Sequence, residues 1–129
     1  QGIPVRVEAF LTDVGRELAT AGLVISRAGA VTLQELACAG VPTILIPLST
    51  VADNHQWLNA KLLERSGAAI LVDENQANAR IFCGKAIGDL VSNEALRHRM
   101  AENIRGLATP QAAKEIIRLL IEVASGGKQ

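Results

Sequence analysis

Arg27, Gly29, Thr32 and Glu35 fall within one short stretch, SRAGAVTLQE, residues 26–35. Ala28, Gly29 and Ala30 make a loop without bulk, so backbone amides can approach an anion where a helix begins. Thr32 adds a hydroxyl donor. Glu35 sits about one turn inside, where its charge would repel a phosphate and its oxygens suit the hydroxyls of a sugar diol. A second set, His55, Gln56 and Asn59 in DNHQWLNA (residues 53–60), offers neutral donors and acceptors along one or two turns of a helix. Polar, largely uncharged groups beside a bulk-free loop suit a nucleotide bearing a sugar better than a bare phosphate.

The same spacings have a purely structural reading. Thr32 and Glu35 form T-L-Q-E, a capping-box spacing, and Asp53 with Gln56 forms a looser version. Both pairs can serve simply to satisfy the orphan amides of their helices. Gly29 can be a tight turn and no more. Arg27 stays open between a phosphate and a carboxylate elsewhere in the chain. His55 has no Ser/Asp or metal partner at a telling spacing, which argues against a triad and against a zinc site. His98, in LRHRM, reads as a solvent-facing helix residue.

Both sets need a scaffold, and the chain supplies a regular one. VRVEAF (residues 5–10) alternates well enough for a short strand, and LTDVGRELATA spaces Leu11, Val14 and Leu18 as a helix does. GLVIS, TILIPL and AAILV are short apolar runs that read as buried strands. TLQELACAG is a helix stopped by Gly40 and barred from continuing by Pro42, and a further helix from Asp53 ends at Gly67. From residue 77 the pattern is helical, in three segments, with Asn93 and Pro110 marking two starts. Apolar strands alternating with helices predict an α/β fold, a parallel sheet covered on both faces. Ligands of such sheets bind beyond the carboxyl ends of the strands, which singles out the loops after VIS and ILIPL.

The bulk properties set limits. A chain of 129 residues suits one domain, and 49% apolar residues suffice for a core. Lysine plus arginine equals aspartate plus glutamate at 13 each, so no net positive field draws in nucleic acid. Two phenylalanines and one tryptophan are too few for a base-stacking platform. No apolar run approaches the roughly 20 residues needed to cross a bilayer. No secretory signal opens the sequence, and Cys38 and Cys83 belong to neither a CxxC nor a His/Cys cluster. A reduced, cytoplasmic setting fits these features.

Taken jointly, residues 22–72 (GLVISRAGAVTLQELACAGVPTILIPLSTVADNHQWLNAKLLERSGAAILV) resemble the C-terminal domain of the MurG family. Members of that family are the UDP-N-acetylglucosamine (UDP-GlcNAc) transferases of bacterial peptidoglycan synthesis. The shared pattern is S-R-x-G-A-x-T-x-x-E, then G-x-P, then D-x-x-Q-x-x-N-A. Here it falls on Ser26, Arg27, Gly29, Ala30, Thr32 and Glu35, on Gly40 and Pro42, and on Asp53, Gln56, Asn59 and Ala60. Upstream, VEAFLTDV is similar to the family's V-x-x-F-I-x-D-M. Gly22, Thr50 and Val14 stand where members often carry Asp, His and Met.

The resemblance implies a two-domain GT-B enzyme whose Rossmann-like C-terminal half binds UDP-GlcNAc. It places Leu11 beside the uracil and the Gly29–Thr32 loop, including Ala30 and Val31, at the diphosphate and sugar. Arg27 belongs to the same donor site. Glu35 is implied to hold the ribose hydroxyls, while His55, Gln56 and Asn59 face the GlcNAc or phosphates. The implied reaction inverts: the muramoyl C4 hydroxyl of lipid I attacks the donor's anomeric carbon, UDP leaves, and lipid II forms. Neither metal nor other cofactor is expected. The whole chain is expected to be one donor-binding domain truncated on its N-terminal side, with residues 77–125 as closing helices. The catalytic base and the lipid I site are expected in an absent N-terminal domain, and the chain alone is expected to be inactive. In the full enzyme it would lie at the inner face of the cell membrane. Two other readings remain: a different GT-B UDP-sugar transferase, or a non-catalytic half of a split transferase acting through a complementary chain.

Overall fold

The computed structural model describes residues 4–48 and 54–126. Among these described residues, six helices and three strands follow one another as α1 (Val14–Thr20), β1 (Val24–Ser26), α2 (Ala30–Ala39), β2 (Thr43–Leu45), α3 (Asn54–Arg65), β3 (Ala69–Leu71), α4 (Ala79–Ser92), α5 (Glu94–Arg105) and α6 (Ala112–Gly126). The strands form one parallel sheet in the order β1-β2-β3. Val24, Thr43 and Ala69 stand in register, as do Ser26, Leu45 and Leu71. All three carboxyl ends therefore finish level, and the loops that follow them share one edge of the sheet.

The central strand β2 is buried throughout and β3 nearly so, whereas Ile25 of the edge strand β1 is 46% exposed. Leu45 and Leu71 point into a core with Leu33 and Leu36 of α2, Leu63 of α3 and Ile104 of α5. Ile44 and Val72 point the other way, onto Ala86 and Leu90 of α4 and Met100 of α5. Alternate residues of a strand face opposite sides, so an apolar run such as TIL serves both cores at once. Helix α5 contributes to both cores and clamps the two layers together. This is the α/β, Rossmann-like arrangement the alternating pattern predicts.

Helix ends follow local chemistry where the sequence suggests it. The Asn93 side chain accepts a hydrogen bond from the Leu96 amide at 3.0 Å, capping α5. Gly40 ends α2 in the left-handed region at φ 65°, and its amide donates to the Leu36 carbonyl at 2.8 Å. A Cβ there would also collide with the Arg105 side chain. Pro110 lies in the turn just before α6.

Two expectations are corrected. VRVEAF is not a strand: residues 4–13 form neither helix nor strand, and Val5 and Val7 are 79% and 87% exposed. Alternation confers strand propensity, but a strand holds only with a neighbour, and none of the three strands pairs with this segment. The Thr32–Glu35 capping box is also absent. Helix α2 begins at Ala30 with Gly29 as its N-cap and without a side-chain cap. Thr32 and Glu35 therefore both lie inside the helix. The small residues before them let the backbone turn three residues earlier than a threonine cap requires. The cap expected from Asp53 lies outside the described residues.

Candidate functional site

The loop after β1 is held from two sides. Ala28 is completely buried, its amide donates to Gln56 Oε1 at 3.3 Å, and its carbonyl accepts from Asn59 Nδ2 at 3.3 Å. Gln56 Oε1 also accepts the amide of Leu48 at 3.1 Å, beyond the end of β2. Thus α3 uses two amide side chains to tie the carboxyl ends of β1 and β2 to each other. Arg27 works from its own side: its Nη1 donates to the carbonyls of Ile46 at 3.0 Å and Pro47 at 3.4 Å. The same nitrogen stands 2.9 Å from Glu74 Oε2, just past β3. Of the two partners left open for Arg27, the structure shows the carboxylate.

Once so held, the chain enters α2 at Gly29. Glycine at the N-cap position has no side chain to accept them, so the first-turn amides of α2 are left without a side-chain cap. The first backbone bond of the helix is Leu33 N to the Gly29 carbonyl, at 3.0 Å. The amides of Ala30, Val31 and Thr32 precede it, at the positive end of the helix dipole. Glu35 is exposed on the second turn and His55 on the first turn of α3. Val31 is exposed, and Thr32 is half-buried beside it.

The surface divides the predicted residues among several hollows. Val31 and Glu35 line a groove of about 650 Å³ with Leu18, Cys38 and Pro110, between α1, α2 and the start of α6. Leu11 lines a separate cleft of about 630 Å³ with Phe10, Asp13 and Arg16, before α1. Ala30 and Asn59 share a smaller cavity of about 230 Å³ with Leu33 and Ile104. Arg27 opens onto a fourth cleft of about 860 Å³ floored by Ile25, Ile46 and Val72. The structure thus brings Arg27, Ala28, Gln56 and Asn59 together as a brace and leaves Leu11, Glu35 and His55 on neighbouring faces. Gln56 and Asn59 are engaged with backbone rather than standing free.

Glu74 was missed by sequence reasoning. A signal for it existed: it lies beyond the carboxyl end of the third strand, as the loops after VIS and ILIPL lie beyond the first two. Among the described residues, no three His, Cys, Asp or Glu side chains converge as metal ligands would. No helix there is long and apolar enough to cross a membrane.

A level edge of parallel strands, with an uncapped helix start just beyond it, defines an α/β domain of the Rossmann-like class. The chain belongs to the glycosyltransferase family 28 C-terminal domain family, whose model matches residues 1–116. A Xylella fastidiosa protein is 40% identical over 121 residues, covering 94% of this chain and 33% of that protein. A Sorangium cellulosum protein is 44% identical over 119 residues, covering 92% of this chain and 29% of its own length. Both carry the name UDP-N-acetylglucosamine–N-acetylmuramyl-(pentapeptide) pyrophosphoryl-undecaprenol N-acetylglucosamine transferase. The crystal structure of Acinetobacter baumannii MurG superposes with a TM-score of 0.80 at 32% identity, over 91% of this chain and 33% of that one. Spinosyn forosaminyltransferase SpnP matches at a TM-score of 0.68 and 21% identity, covering 95% of this chain and 33% of its own, a likeness of fold alone. The chain spans about a third of the length of the curated relatives it matches.

Proposed function

We propose that this chain is the donor-binding part of an inverting glycosyltransferase that moves GlcNAc from UDP-GlcNAc to lipid I, making lipid II for peptidoglycan. The observation that carries the reading is the uncapped start of α2 beyond β1, in a chain so similar to proteins bearing that transferase name. A helix end whose amides have no side-chain cap is suited to an anion such as a diphosphate.

In this reading the amides of Ala30, Val31 and Thr32, with the Thr32 hydroxyl, receive the donor's diphosphate. Glu35 accepts hydrogen bonds from the ribose hydroxyls, and the backbone at Leu11 reads the uracil. His55 faces the sugar or phosphates. Gln56 and Asn59 act mainly through the loop they brace, and Arg27 through the strand ends it joins. The lipid I C4 oxygen forms a bond to the anomeric carbon from the face opposite the diphosphate. The carbon–oxygen bond to UDP breaks with its electron pair going to the β-phosphate, and the configuration inverts. Charge developing on that phosphate is met by dipoles already in place, so little reorganisation is needed as the bond breaks. The proton of the C4 hydroxyl passes to a base that we assign to the part of the relatives' length this chain does not span. Lipid I would be bound there too, with the assembly working peripherally at the inner face of the cell membrane.

Titration with UDP-GlcNAc while recording amide spectra tests the reading. Shifts are expected at Gly29 through Thr32 and at Glu35, and weaker binding with UDP-glucose or UDP-galactose. A folded sample showing no shift at these positions refutes it.

A further inference from the structure

We propose that Glu74 is a positioning residue for the α2 helix start, acting through Arg27. The inference rests on the donor-seat reading above and names a residue that reading does not use. Arg27 lies directly after β1, two residues before the N-cap of α2. Its Nη1 reaches carbonyls beyond β2 and the Glu74 carboxylate beyond β3, so one side chain links all three carboxyl ends. Glu74 is itself presented by a turn. The Asp73 side chain accepts the Asn75 amide at 3.0 Å, and the Asp73 carbonyl accepts the Gln76 amide at 3.2 Å. This Asx-type arrangement holds Glu74 at the crest of the turn, facing the end of β1.

The two anchors of the loop then differ in kind. Ala28 is fixed through its backbone by Gln56 and Asn59, whereas Arg27 is fixed through its side chain by strand ends and a charge. Hydrogen bonds weaken steeply as geometry degrades, so amides aimed at an anion depend on both anchors. Because side-chain exposure is 49% for Arg27 and 35% for Glu74, solvent screens the pair. Its loss therefore costs the fold little and shows mainly in where the loop sits.

The experiment is a double-mutant cycle with UDP as the probe, reading affinity, melting temperature and the amide spectrum of the ligand-free protein. Glu74→Ala is expected to weaken UDP binding about two- to fivefold with a near-normal melting temperature. Glu74→Gln, which keeps an acceptor oxygen without the charge, falls between it and the wild type. In an Arg27→Ala background, Glu74→Ala adds nothing further, since the two act as one unit. Ligand-free resonances of Gly29 through Thr32 shift in Glu74→Ala, while those of α6 stay put. Unchanged affinity with a lowered melting temperature makes the pair merely structural and overturns the proposal. Tighter UDP binding overturns it too, because Glu74 would then be withholding Arg27 from the anion. If the wild type binds no UDP, the donor-seat reading itself fails and takes this inference with it. Wild-type binding with an indifferent Glu74→Ala sinks only the latter.

Discussion

Gln56 offers the sharpest quantitative test of how the loop is held. Its Oε1 accepts two backbone amides, from Ala28 at 3.3 Å and Leu48 at 3.1 Å. Truncation to alanine orphans both donors, and their surroundings differ. Ala28 is 0% exposed, so no water replaces the lost acceptor unless the loop opens. An unpaired buried donor costs about 1–3 kcal/mol. Leu48 is exposed, and solvent can take over its amide for a few tenths of a kcal/mol (order of magnitude). The sum is about 2 kcal/mol, which for a domain of this size lowers Tm by about 6–10 °C. Gln56→Glu keeps an oxygen in the same place and is expected to restore most of that loss. Thermal melts of the two variants beside wild type read the difference directly, and hydrogen exchange at Ala28 gives an independent local measure. Were Gln56→Ala to melt within about 2 °C of wild type, the bridging role drawn from these two distances would be wrong.

Other outcomes follow from the same geometry. Glu35→Ala, at an exposed position inside α2 that caps nothing, should leave stability within about 0.5 kcal/mol. The same change should weaken UDP about tenfold or more by removing charged acceptors from the ribose; a titration that shows no change removes Glu35 from the site. Gly40→Ala forces a side chain into the left-handed region and against Arg105, which should cost about 1–2 kcal/mol in denaturant melts. Leu45→Ala, on the buried central strand, should cost about 3 kcal/mol, a large share of the roughly 5–15 kcal/mol that holds a domain together. Asn93→Ala removes the cap of α5 and should cost about 1 kcal/mol by the same measurement.

Much of this protein was legible from residue types in order. Three short apolar runs separated by helical periodicity predict a parallel sheet, and TIL, AIL and VIS are its strands, with only the edge residue Ile25 left exposed. Gly40 and Asn93 marked helix ends because their preferences are local: a left-handed turn and a side chain that caps its own helix. The S-R-x-G-A-x-T-x-x-E and D-x-x-Q-x-x-N-A patterns, taken together, pointed to the family that the domain match then established.

What the chain order left open was settled by neighbours distant in sequence. VRVEAF has strand propensity but no strand beside it, and pairing is a tertiary fact. Thr32 and Glu35 have capping-box spacing, yet the cap position falls on Gly29, directly after an Ala28 that is hydrogen-bonded to α3. Arg27 was open between anion and carboxylate until the fold set Glu74 beside it, 47 positions further along the chain. Periodicity and turn chemistry act over a few residues, so the sequence alone determined the helices and the three sheet strands and their order, but not whether VRVEAF finds a partner. Hydrogen bonds of loop to helix and strand end to strand end act through space, so only the tertiary structure decides which polar side chains hold the loop after β1 and which stay on its exposed faces.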